Sequence, residues 1–179
     1  GSYSISGIVS SAGSAMTVYV DGATEKASTV TRAVDSTTAI TSLDLYQNRV
    51  ILRHEDAGPL TNTNLNQYDS SCNSGLGDTD IPFCVDQGNL SVSSGSKLIV
   101  WTGKTFTPGG SVTLASSSNS SNPDGDLSIQ TSSTLSMGLN PLTIGGDFTN
   151  LGTLTVSSGQ ESIFTASSTG HVIDNGTGA

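Results

Sequence analysis

Residues 89–95 read NLSVSSG, residues 126–132 read DLSIQTS, and residues 153–159 read TLTVSSG. Each phrase alternates apolar and small polar residues, the period of a half-buried strand. The residues that follow are similar too. Residues 105–113 (TFTPGGSVT) align without a gap on residues 141–149 (PLTIGGDFT), sharing a Gly-Gly pair. Residues 98–102 (LIVWT) echo in residues 162–165 (SIFT). The phrases start at Leu90, Leu127 and Leu154, 37 and 27 residues apart. The difference matches one polar insert, residues 116–125 (SSSNSSNPDG). Repeats of roughly 20–50 residues built from short strands signal a solenoid. That turns the functional question from chemistry toward assembly and binding.

The repeat region predicts its own core. Leu90/Val92, Leu98/Val100, Phe106, Val112/Leu114, Leu127/Ile129, Leu135/Met137, Leu142/Ile144, Phe148, Leu154/Val156, Ile163/Phe164 and Val172/Ile173 fall at inward positions. Their spacing predicts a three-faced coil of about 27 residues, with Gly, Asn or Ser at each corner. Equivalent strands of successive coils would stack about 4.8 Å apart as parallel sheets. Residues 89–179 therefore read as a parallel β-helix, with the 116–125 insert protruding from one corner.

The rest of the chain is organised differently. Residues 1–89 carry 14 of the 21 charged side chains. Residues 3–9 (YSISGIV), 16–20 (MTVYV), 28–34, 39–46 and 48–53 read as short strands, with an Asp21-Gly22 turn signal after the second. Residues 1–60 thus predict a small β-sandwich. Residues 61–88 read as a connection and cap, clipped by Cys72 and Cys84. Those cysteines enclose NSGLGDTDIPF, dense in turn formers. A disulfide there is worth roughly 2–3 kcal/mol and implies an oxidising compartment. Two separate buried thiols are the alternative. Zinc wants about four ligands, and no further Cys or His lies nearby.

Composition narrows the function. Ser and Thr number 31 and 23, while charged residues are only 12%. Disordered chains are usually richer in charge. A net charge of −9 argues against nucleic acid, and equally against anionic lipid. No apolar run approaches the ~18 residues of a membrane helix. No signal peptide opens the chain, so a mature form or a piece of a longer protein is expected.

Few residues suggest chemistry. His54-Glu55-Asp56 is the one His–carboxylate cluster, but no G-x-S-x-G elbow or second metal-binding His accompanies it. It reads as a polar strand end. Asp78 and Asp80 lie in a turn-rich acidic loop of a kind that can hold calcium, which takes six to eight oxygens. Trp101, the sole tryptophan, follows the inward strand Leu98/Val100 and is expected to face out beside Thr102 and Lys104. That makes it the candidate contact for a glycan. The repeat region has five acidic residues, mostly in turns. Polysaccharide cleavage wants carboxylates paired on one face, so no enzyme is expected.

The phrase LTIGGDFTNLGTLTV (residues 142–156) resembles right-handed β-helix repeats of large bacterial surface and adhesin-like secreted proteins. The segment DLYQNRVILRHEDAGPLTN (residues 44–62), followed by DTDIPF and TGKTFTPGG, resembles a module reiterated in giant secreted bacterial proteins. The resemblance implies an extracellular or cell-surface structural role and carries no catalytic residues. Bare solenoid ends recruit other chains. The expected function is a self-assembling subunit or repeat module of a surface filament, stalk or layer. Its partners are copies of itself or further modules, and the expected assembly edges are Ile5 and Val9 at one end and Val172 and Ile173 at the other. The alternative is a glycan- or receptor-binding adhesin module.

Overall fold

The computed structural model describes residues 2–67, 72, 78–117, 123–159, 162–164 and 173–174. Its strands are short, from two residues to six. In order they are β1 (Ala15–Tyr19), β2 (Ala27–Arg32), β3 (Arg49–Leu52), then a single-turn helix α1 (Asn62–Leu65), β4 (Phe83–Asp86), β5 (Asn89–Val92), β6 (Lys97–Val100), β7 (Thr105–Phe106) and β8 (Val112–Leu114). There follow β9 (Asp126–Ile129), β10 (Thr134–Gly138), β11 (Leu142–Ile144), β12 (Phe148–Asn150), β13 (Thr153–Val156), β14 (Ser162–Phe164) and β15 (Ile173–Asp174).

The strands form three sheets. Sheet A runs β1-β2-β3-β6-β9-β12-β15, sheet B runs β13-β10-β7, and sheet C runs β14-β11-β8-β5-β4. From β5 onward the chain visits C, A and B in fixed rotation. Pairing is parallel except for β1–β2 and β4–β5. The protein is all-β with parallel sheets, as expected.

One buried cluster draws side chains from all three sheets. Leu98 stacks on Leu127 and then Phe148 in sheet A. Leu90 stacks on Val112 and then Leu142 in sheet C. Phe106 stacks on Leu135 and then Leu154 in sheet B. Each fully buried Leu, Ile or Phe contributes about 1.5–3 kcal/mol. From Leu90 to Phe148 the expected inward residues are buried; Leu154 is partly buried and Val156 is exposed.

The coil length differs from the expected one. Leu127 and Phe148, one level apart in sheet A, are 21 residues apart, whereas Leu98 and Leu127 are 29 apart. The longer step contains the insert. The three repeated phrases lie in different sheets: Leu90 in C, Leu127 in A, Leu154 in B. Their separations span one level plus part of the next. The phrases recur because every face has the same needs, an alternating strand followed by a tight corner.

The shared Gly-Gly pair shows that need at its sharpest. A Cβ on Gly110 would lie 2.0 Å from the Gly88 carbonyl oxygen, and one on Gly146 would lie 2.3 Å from that of Asp124. Both glycines sit where a corner touches the backbone of the level beside it.

Residues 1–60 do not build the expected sandwich. β1, β2 and β3 extend sheet A, with β2 and β3 parallel and in register with β6. No second sheet packs on them among the described residues. Residues 3–9 and 39–46, expected as strands, are in none. Conversely, the connection over 61–88 contains α1 and β4. Gln87 and Gly88, both at positive φ, turn β4 into β5 as a two-residue hairpin. Leu65, Ile81 and Phe83 from this connection, with Leu60 just before it, enter the core cluster, and Tyr19 of β1 packs against it. Together they plug the end of the core beside the antiparallel strands.

Gly146→Ala should lower stability by about 1–3 kcal/mol, because the methyl group meets backbone rather than a movable side chain. Ile129→Asp should prevent folding, since a buried unpaired carboxylate costs several kcal/mol. Thermal melts by circular dichroism check both.

Candidate functional site

Three polar constellations lie outside the apolar core. The first covers the outer face of sheet A. Thr29, Ile51 and Ile99 point away from the core, yet all three are buried. Part of the cover is the irregular segment before β3. Thr29 Oγ1 donates to the Asp44 carbonyl at 2.6 Å. Arg53 donates to the Ser42 carbonyl and, at 3.3 Å, to that of Thr41. Tyr3 OH donates to the Leu43 carbonyl.

Trp101 is consequently not the open platform that was expected. It is half-buried, and with Thr29, Ser42, Asp44, Ile51 and Arg53 it lines a shallow depression. Strand alternation placed it on the outer face correctly. What alternation cannot show is that the segment around residues 41–44 lies across that face.

The second constellation is the strand end at 53–56. His54 Nε2 accepts the Thr105 amide at 2.9 Å, which fixes the ring proton on Nδ1, where it donates to the Asp56 carbonyl at 2.7 Å. Both ring nitrogens are thus engaged by backbone, and the ring ties the end of β3 to the start of β7. Arg32 bonds Asp56 Oδ2 at 2.8 Å and the Pro59 carbonyl at 2.6 Å. Glu55 takes Arg53 Nε at 2.7 Å and Thr31 Oγ1 at 3.0 Å, with Lys104 3.8 Å away. Burial opposes Glu55 ionisation, but the hydrogen bond and charge of Arg53, with Thr31 and Lys104, outweigh it and hold its carboxyl below the usual value. The arrangement is a polar lock joining adjacent levels.

The third involves the segment that the disulfide closes. Cys72 and Cys84 are joined as expected, tying β4 to the segment before it. Asp78 and Asp80 meet a third carboxylate that the sequence reading missed, Asp21 of the β1–β2 turn. Carboxylate oxygens of the three lie within 4.8 Å of one another. The cluster has internal partners. Tyr19 OH donates to Asp78 at 2.7 Å, and Gly22 N donates to Asp80 at 2.7 Å. Lys26 bonds Asp80 directly. The hydrogen bond to Asp78, then desolvation, then the three carboxylates push the Tyr19 phenol up to about 12. The Lys26 hydrogen bond and that of Gly22 lower Asp80. These oxygens could hold a cation. Three such ligands are half or fewer of what calcium takes, and the Lys26 ammonium already lies against Asp80. What the contacts accomplish is to fasten the β1–β2 turn to the disulfide segment.

The expected assembly residues separate. Ile5 and Val9 are exposed, Val9 at 96%, in a segment outside any strand. Ile173 lies in β15, the outermost described strand of sheet A, in register with Phe148. Val172 lies outside the described residues. Among the described residues, no helix is long and apolar enough to cross a membrane. No protein family, curated protein or solved structure matches the chain.

Acid should unfold the protein over a defined window. Glu55 and Asp80 are lowered from 4.5 and 3.8, and Asp35 is held to about 2 by the Thr38 and Thr37 donors. Depressed carboxyls add stability above their unfolded values, and it is lost as pH falls through the folded ones. The melting temperature should hold from pH 7 to about 5, then fall continuously toward pH 2. Glu55→Gln should lower the melting temperature at neutral pH and shallow the acid decline; an unchanged decline would remove Glu55 from the lock.

Proposed function

We propose that the chain is a short three-faced parallel β-helix, a structural extracellular subunit or repeat module of a bacterial surface filament, stalk or layer that assembles through β-edges. One observation carries this reading: the two ends of the stack differ. At one end the outermost strands, β1 and β4, are antiparallel to their neighbours, and α1, Ile81 and Phe83 plug the core. At the other, the outermost described strands β13, β14 and β15 are all parallel to theirs. A parallel end is a template for one more level, whereas a plugged antiparallel end is not. Contact between unlike ends is heterologous and open, the geometry of a fibre rather than a closed ring.

Other features agree. The disulfide suits an oxidising compartment. His54 accepts the Thr105 amide, Glu55 pairs with Arg53 and faces Lys104, and Asp56 pairs with Arg32, which supports a structural role for this His–carboxylate cluster. The resemblance of residues 142–156 to repeats of bacterial surface proteins points the same way.

Negative-stain electron microscopy with light scattering tests the assembly. Regular filaments, growing with protein concentration, are expected. Monodisperse particles at all concentrations would overturn self-assembly and favour a module whose surface binds a glycan or receptor. A glycan array with Trp101→Ala as control then decides that second reading.

A further inference from the structure

Residues 2–10 make no backbone–backbone hydrogen bond to any described residue. Their ties to the rest of the chain are side-chain bonds, Tyr3 OH to the Leu43 carbonyl and Ser10 Oγ to the Asp35 carbonyl at 3.2 Å. Yet the composition is that of a strand, rich in β-formers and apolar at Tyr3, Ile5, Ile8 and Val9. Those four side chains are 50–96% exposed. Gly7, at a φ of 76°, interrupts the segment, and residues 2–6 ahead of it, whose amides and carbonyls meet no described backbone group, are a strand without a sheet.

The complementary deficit lies at the other end of the stack. β13 is the outermost described strand of sheet B, so one row of its amides and carbonyls faces no described strand. Its inward column, Phe106–Leu135–Leu154, passes from fully buried to partly buried. Val156 in β13 and Leu151 just before it are 40% and 37% exposed. Among the described residues nine large apolar side chains are exposed; four lie in residues 2–10 and two lie in or beside β13.

We propose that residues 2–6 are a donor strand that adds in parallel to β13 of a second copy of this chain, with Tyr3 beside Leu154 and Ile5 beside Val156. The partner is a second copy because Tyr3 and Ser10 are anchored near Leu43 and Asp35, at the β1 end. Several strand spacings of about 4.8 Å separate that end from β13. The pairing supplies main-chain bonds to both rows and covers Leu154 and Val156, the mode of β-strand addition. The inference rests on the assembly reading above and names its contact.

Two variants test it. Ile5→Pro removes an amide donor from the segment, and because residues 2–10 carry no internal backbone bonds, it should melt as the wild type does. It should weaken association at least tenfold by light scattering. Ser4→Cys with Thr155→Cys, expected as neighbours across the contact, should give disulfide-linked ladders on a non-reducing gel. If the wild type never associates, the assembly reading and this inference fall together. If the wild type associates and Ile5→Pro associates equally, or the ladder is absent, only the donor pairing is overturned.

Discussion

The core of this protein is filled from three sides at once, and nearly everything else follows from that constraint. A strand of three or four residues can turn only two side chains inward. A level made of three such strands cannot bury its own apolar surface. Leu127 is fully enclosed because Leu98 lies on one side of it and Phe148 on the other. Stability therefore belongs to the column rather than to the level. Corners must be thin enough for levels to approach, which is why Gly110 and Gly146 lie against neighbouring backbone.

The polar residues serve the same geometry from outside. His54 bridges β3 to β7 through two backbone groups, and Glu55 gathers Arg53, Thr31 and Lys104. Asp124, at the base of the insert, accepts amides from Gly95 and Ser117. Each spends its charge or lone pairs on holding one level to the next. These are positioned, partly desolvated contacts, so they matter more than the same groups would on an open surface.

Much of this was legible in the sequence. The inward residues from Leu90 to Phe148 could be read because alternation has a period of two on every face. The level length could not, because the faces have identical needs and so share phrases, as those at Leu127 and Leu154 do although they lie in sheets A and B. Alternation also misled at 3–9 and 39–46, where no neighbouring strand accepts the backbone. The burial of Ile51 and the half-burial of Trp101 depend on a covering segment whose path is irregular. Asp21 joins Asp78 and Asp80 across more than fifty residues of chain, and no local pattern announces such a meeting.

The two antiparallel pairs give the molecule a direction in time as well as in space. β4 and β5 close through a two-residue turn, and β1 and β2 through a short one. Parallel pairs such as β6–β9 must first close a loop of more than twenty residues. Loop-closure entropy therefore favours the hairpin end as the nucleus, with later levels laid down one upon another. That nucleus lies in the first half of the chain. A polypeptide emerging amino-terminus first presents its own template before the segments that need one. Under load or heat the order reverses, and the last-laid level peels away first.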